Sequence, residues 1–160
     1  MAYPYTVAHA RAWLHRATRE RRRGDALYLS IVRRADGVLV GGLGLHHVIE
    51  AAACAEIGYW LGRPFRGEGL ATEAVNTLTR AGFDRLRLHR IEALVFPPNL
   101  ASRAVLRRCG FRYEGRIRDE FRKEGRWYTT LLFARLSTDP PPRRRSSASA
   151  VRRTQALRRR

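Results

Sequence analysis

The chain has 160 residues, 44% of them hydrophobic, enough for one domain with a proper core. No apolar run nears the ~20 residues of a membrane span, and the N-terminus has no secretory apolar core, so no membrane role is expected. The two cysteines, Cys54 and Cys109, form no CxxC pattern, which argues against a disulfide scaffold and predicts neutral thiols in a reducing cytoplasm. The net charge is +18, and Lys123 is the one lysine among 32 basic residues. From Ser137 onward eight arginines stand against Asp139, and the body before it keeps +11 from 24 basic and 13 acidic residues. This charge favours acidic partners such as nucleotides, RNA or a ribosome surface, or else is a solvated arginine face.

In chain order, Thr6 can cap a helix over residues 7–23, with Val7, Ala10, Trp13, Leu14 and Ala17 at helical spacing. Gly24-Asp25 ends it. Residues 27–32 read as a strand, Ala35-Asp36-Gly37 as a hairpin turn, and residues 38–48 as the partner strand. Gly41, Gly42 and Gly44 mark a bulge or close packing. His46 and His47 are adjacent, so regular strand alternation sends them to opposite faces and argues against a shared metal. Residues 53–61 form the next strand, with Ile57, Tyr59 and Leu61 on one face and Glu56, Gly58 and Trp60 on the other.

A break at Gly62-Arg63-Pro64 follows, then Arg66-Gly67-Glu68-Gly69-Leu70-Ala71 opens a helix predicted to run to about residue 86. A strand, a glycine turn and a helix start make an anion site. The free N–H groups of the first turn point one way, the helix dipole adds partial positive charge, and glycines let a phosphate reach the backbone. Residues 91–96 read as a short buried strand. Asn99 caps a helix over residues 100–108, closed by Gly110. Residues 111–118 return to strand, residues 119–125 form a charged connection, and residues 126–136 form a last strand. The predicted order is α-β-β-β-α-β-α-β-β, a mixed sheet flanked by helices. Residues 1–136 are expected to form the domain, and residues 137–160, rich in Arg, Pro and Ser, a disordered tail.

Four blocks resemble the GNAT superfamily of N-acetyltransferases, the RimJ/RimL type above all. Ala55-Glu56-Ile57-Gly58-Tyr59-Trp60-Leu61 is similar to the family's fourth strand, and Arg66 to Ala71 fits its coenzyme A signature. Leu88-His89-Arg90-Ile91 opens a match to the fifth strand. Asn99-Leu100-Ala101-Ser102, Cys109-Gly110-Phe111 and Glu114-Gly115 resemble the block that follows it. The resemblance covers residues 25–136 and implies an α/β GNAT fold.

The resemblance implies acetyl-CoA as acyl donor, with its pyrophosphate on Arg66, Gly67, Glu68, Gly69, Leu70 and Ala71. The pantetheine arm would pair with backbone near Tyr59, Trp60 and Leu61, as a ligand adding a strand. Asn99 would bond the pantetheine or merely cap its helix. Glu56 sits where family members place a general base, its alternative being an ion pair with a nearby arginine. Ser102 sits where a donor to the sulfur would stand, its alternative a hydroxyl bonding helix backbone. Tyr113 and Tyr128 are further donor candidates. No metal is expected. The reaction is direct attack of a neutral amine on the thioester. The acceptor is a protein N-terminal amine, as on ribosomal proteins, or a small amine. A cytoplasmic enzyme follows, with room for a homodimer and for ribosome or RNA contact through the basic surface. The competing function is a basic RNA- or ribosome-binding module on a degenerate fold.

Two features depart from the family pattern. The family's first strand and short helix have no counterpart before Tyr5, so either the true start lies upstream of Met1 or the sheet lacks that edge strand and part of the acceptor wall. Near Trp127, Tyr128-Thr129-Thr130 stand where relatives often carry an acidic residue.

Overall fold

The computed structural model describes residues 6–142. Thr6 caps α1 (Val7–Arg23): its hydroxyl accepts from the His9 N–H, and Gly24 closes the helix in the left-handed conformation. Only Ala17 of the predicted apolar face is buried; Trp13 and Leu14 keep substantial exposure. The strands are β1 (Leu27–Val32), β2 (Leu39–Ile49), β3 (Cys54–Leu61), β4 (Arg90–Val95), β5 (Arg112–Lys123) and β6 (Arg126–Leu136). The other helices are α2 (Leu70–Asp84) and α3 (Leu100–Arg108). This is the predicted element order.

One sheet runs β1-β2-β3-β4-β6-β5. The β3–β4 pair is parallel and the other neighbours are antiparallel. Alternation sorts its faces. Leu43, Leu45, Ala55, Ile57, Ile91 and Phe133 meet Val75 and Leu78 of α2 and Leu106 of α3 in one core. Ile91 and Phe133 have no exposed area, and burying each stabilises by about 1.5–3 kcal/mol. On β1, Leu27 and Ile31 pack on this core. Tyr28 points the other way, where its ring lies 5.2 Å from Trp13 and its hydroxyl donates to Glu20 at 2.9 Å. So α1 covers the face opposite α2 and α3.

Residues 119–125 are not a loop. β5 continues to Lys123, and only Glu124 and Gly125, both at positive φ, make the turn into β6. The charged side chains that suggested a connection are those of an edge strand, where one face and one backbone edge meet water. A bulge between Ile117 and Phe121, with Asp119 at φ 51°, bends this arm. At the head of the expected tail, the Ser137 N–H donates to the His89 carbonyl at 2.8 Å, and Asp139 pairs with Arg112 at 3.0 Å. The remainder of that tail, from residue 143, lies outside the described residues.

Candidate active site

The glycine turn is built by its backbone. After β3, Arg63–Phe65 make one tight turn, then Gly67 and Gly69 adopt φ of 92° and 86°. A side-chain-bearing residue in that region costs about 1–2 kcal/mol. Gly69 begins α2 without a side-chain cap, so the first-turn N–H groups stay open to a ligand. A Cβ at either glycine would meet nothing within 4 Å, so the space above the turn is free. Arg66 Nε donates to the Leu61 carbonyl at 3.2 Å, which ties the turn to the strand end. Arg66, Gly67, Glu68 and Gly69 are exposed; Leu70 and Ala71 are half-buried.

The strand before the turn parts from its neighbour. β3 and β4 share three rungs, Cys54–Arg90, Ala55–Ile91 and Glu56–Glu92. Beyond them β3 still pairs with β2 out to Leu61, and β4 with β6 out to Val95. The two strands therefore diverge, and their facing backbone edges from Ile57 and Ala93 onward have no partner strand. Tyr59, Trp60 and Leu61 lie along this opening, which ends at the glycine turn.

The candidate side chains approach the opening from opposite faces. Tyr59, on the core side, places its hydroxyl 2.8 Å from Ser102 Oγ and donates to the Ser102 carbonyl at 3.2 Å. Burial pushes the Tyr59 phenol up to about 12, so it keeps its proton at neutral pH. The Ser102 N–H in turn donates to Asn99 Oδ1 at 3.1 Å, so Asn99 does cap α3. The sequence pointed to Ser102 but gave Tyr59 only a backbone role; their hydroxyl pair, 43 residues apart in the chain, needed the fold.

Glu56 faces the α1 side, and its partners are not arginines. Oε2 lies 3.1 Å from His47 Nδ1 and 3.8 Å from His46 Nδ1. This corrects the expectation that the two histidines face apart. Between His46–Glu56 and Ile49–Cys54, β2 advances three residues while β3 advances two. That extra residue is a β-bulge, with His47 at φ 50°. It turns both imidazoles toward one carboxylate, their Nδ1 atoms 3.4 Å apart. One signal was present in the sequence: the core-facing series Leu43, Leu45 resumes at Val48, which skips a step of strict alternation. Burial holds the His46 imidazole below the ordinary histidine pKa, against the pull of Glu56. Gly58 makes room for this ring, since a Cβ there would sit 3.0 Å from His46 Nε2.

Trp60 shares Glu56's face and is 59% exposed. It borders a cleft of about 370 Å³ against α1, lined also by Trp13, Leu14, Tyr28 and Leu39. Of the other donor candidates, Tyr128 stacks on Phe121 at 5.4 Å and Tyr113 tilts on Phe133 at 5.6 Å. At the Tyr128-Thr129-Thr130 stretch, the buried Thr130 hydroxyl donates to Glu120 of β5. A carboxylate thus reaches that region from the neighbouring strand.

The fold thus places a parted strand pair, a glycine turn on a helix start and the Glu56 carboxylate along one strand. The model of the acetyltransferase (GNAT) domain matches residues 1–112. The chain belongs to the GNAT acetyltransferases. It is 35% identical over 136 residues to "Probable N-acetyltransferase YjcK" of Bacillus subtilis, covering 84% of this chain and 75% of that protein. It is 30% identical over 120 residues to the Escherichia coli "[Ribosomal protein uS5]-alanine N-acetyltransferase", covering 74% of this chain and 61% of that one. Among solved structures, Mycobacterium smegmatis RimJ in complex with CoA-disulfide is 33% identical, with a TM-score of 0.77. That likeness covers 94% of this chain and 70% of the RimJ chain. The mixed six-stranded sheet with three helices is the GNAT fold. The chain is thus an N-acetyltransferase, and the binding-module reading gives way to the enzyme. Among the described residues, no helix is long and apolar enough to cross a membrane.

Proposed function

We propose that this GNAT enzyme transfers the acetyl group of acetyl-CoA to a protein N-terminal amine of the ribosomal-protein type. The observation that carries the reading is the parting of β3 from β4 after three rungs, directly upstream of the glycine turn. The pantetheine amides would pair with the free edge of β3 at Tyr59 to Leu61. The pyrophosphate would rest on the N–H groups from Arg66 to Ala71. Asn99, which holds the Ser102 N–H, lies at the same end of the fork and is assigned to positioning Ser102 rather than to the pantetheine.

In this reading the acyl group lies between the strands and is reached from both faces. The amine enters from the α1 side, where the cleft bordered by Trp60 opens. Glu56 takes the amine proton, directly or through one water, as nitrogen attacks the thioester carbonyl carbon. Backbone N–H groups of the parted strands take the charge developing on the carbonyl oxygen. The C–S bond then breaks; the departing thiolate takes the Ser102 hydroxyl proton as Ser102 takes one from the Tyr59 phenol, and Tyr59 regains a proton from solvent while Glu56 releases the amine's.

The similarity to the Escherichia coli [Ribosomal protein uS5]-alanine N-acetyltransferase supports the acceptor class. The net positive body of the domain also opposes polycationic small acceptors and favours docking beside rRNA. The test is release of CoA thiol from acetyl-CoA with two acceptor pools, N-terminal peptides of ribosomal proteins and small amines including polyamines. A higher kcat/KM for the peptides is expected. Faster turnover of a small amine would replace the acceptor, and no thiol release with either pool would overturn the site reading.

A further inference from the structure

We propose that His46, His47 and Glu56 form a binding site for a divalent late first-row transition metal, Zn²⁺ being the probe of choice. The three facing atoms, His46 Nδ1, His47 Nδ1 and Glu56 Oε2, form a triangle with sides of 3.1, 3.4 and 3.8 Å. A point about 2 Å from all three lies at its centre, matching Zn–N and Zn–O bonds of about 2.0–2.2 Å. Ligand atoms on a tetrahedral zinc stand about 3.3 Å apart, the middle of the observed range. Two imidazoles and a carboxylate are also an established zinc donor set, one that leaves a fourth position for water. Among the described residues, this is the one group of three or more His, Cys, Asp or Glu donors so gathered.

The backbone independently favours the arrangement. On a regular strand one of two adjacent histidines would point away. Here the bulge, with His47 in the left-handed region, brings both onto Glu56. The His46 ring is held between Tyr28, 6.4 Å away and stacked, and the bare Gly58. His47 is 78% exposed along its side chain, so an ion has a path from solvent. Both rings face the carboxylate through Nδ1, and each can carry its proton on Nε2.

The site has a functional consequence that rests on Glu56 being the base. A metal bound at Oε2 draws charge from the Glu56 carboxylate and lowers its basicity toward the amine proton, so bound Zn²⁺ inhibits transfer. Inhibition should compete with the amine and leave acetyl-CoA binding unchanged, because the glycine turn lies at the other end of β3.

The experiment is calorimetric titration of untagged full-length protein with Zn²⁺, beside His46→Ala, His47→Ala and the double variant. One equivalent should bind the wild type, each single variant should weaken binding at least about tenfold, and the double variant should lose it. His47 is exposed, so its replacement leaves the core intact, and circular dichroism checks each variant. Cys54→Ser and His89→Ala should bind as the wild type does. The proposal fails if the wild type takes up no zinc at millimolar concentration, or if uptake survives the double variant. Turnover separates the two readings. Chelator-reversible inhibition whose midpoint rises in His47→Ala, relative to that variant's zinc-free rate, supports both. Zinc binding with the expected variant pattern but no inhibition upholds the site and removes Glu56 as base.

Discussion

The two ends of β3 are built from different materials. At Leu61 the site is made of consecutive residues and mostly of backbone: a tight turn, two glycines at positive φ and an uncapped helix start. At Glu56 it is made of side chains from separate stretches, brought to one carboxylate by a bulge in the next strand. A backbone site tolerates side-chain changes that keep its dihedrals. A side-chain site tolerates backbone neighbours but depends on each rotamer. Changes at the first end should therefore alter cofactor affinity, and changes at the second should alter turnover.

Glu56→Gln tests this division most severely. On the proposed role of Glu56 as base, kcat should fall about 10²–10⁴-fold, while calorimetry should show unchanged affinity for CoA. Equal loss of both would merge the two ends into one unit. At the other end, Gly69→Glu forces a side chain into the left-handed region and sets a carboxylate at the proposed pyrophosphate site. Strain of about 1–2 kcal/mol, with repulsion added, predicts acetyl-CoA binding weakened at least about tenfold, with kcat at saturation largely kept.

A middle case sharpens the comparison. Ser102→Ala and Tyr59→Phe remove members of one hydroxyl pair, and each should lower kcat about tenfold, as for one lost hydrogen bond of about 1.4 kcal/mol. Because the two hydroxyls touch, the double variant should be non-additive by about 0.5–3 kcal/mol. Strict additivity would mean that they act separately. Smaller still, Gly58→Ala puts a methyl group against the His46 ring and should change kcat a few-fold with CoA affinity intact. An unaltered kcat would free turnover from the imidazole's position.

The smallest effect lies away from both ends. The guanidinium of Arg90 bridges Glu92 and Glu114 and holds the Glu114 carboxyl below its ordinary range. A depressed carboxyl pKa adds stability that is present above its unfolded value and lost as pH falls through the folded one. Glu114→Gln should therefore melt slightly lower than wild type at pH 7, and the gap should close as pH falls below about 4. A steeper acid loss in the variant would remove this ion pair from the stability of the β4–β6–β5 arm.

The sequence by itself determined the element order and the glycine turn. Each depends on short-range facts: 3.6- or 2-residue periodicity, a capping Thr6 or Asn99, and glycines free to take positive φ at 67 and 69. It misread residues 119–125 because an exposed edge strand carries the composition of a loop. Tertiary structure alone decided what depends on strand register. It set the three-rung limit of the β3–β4 pairing, the meeting of Tyr59 with Ser102, and the bulge that gathers His46 and His47. One inserted residue reverses which face every later side chain occupies. That step is fixed by pairing across strands, which no single stretch of chain encodes.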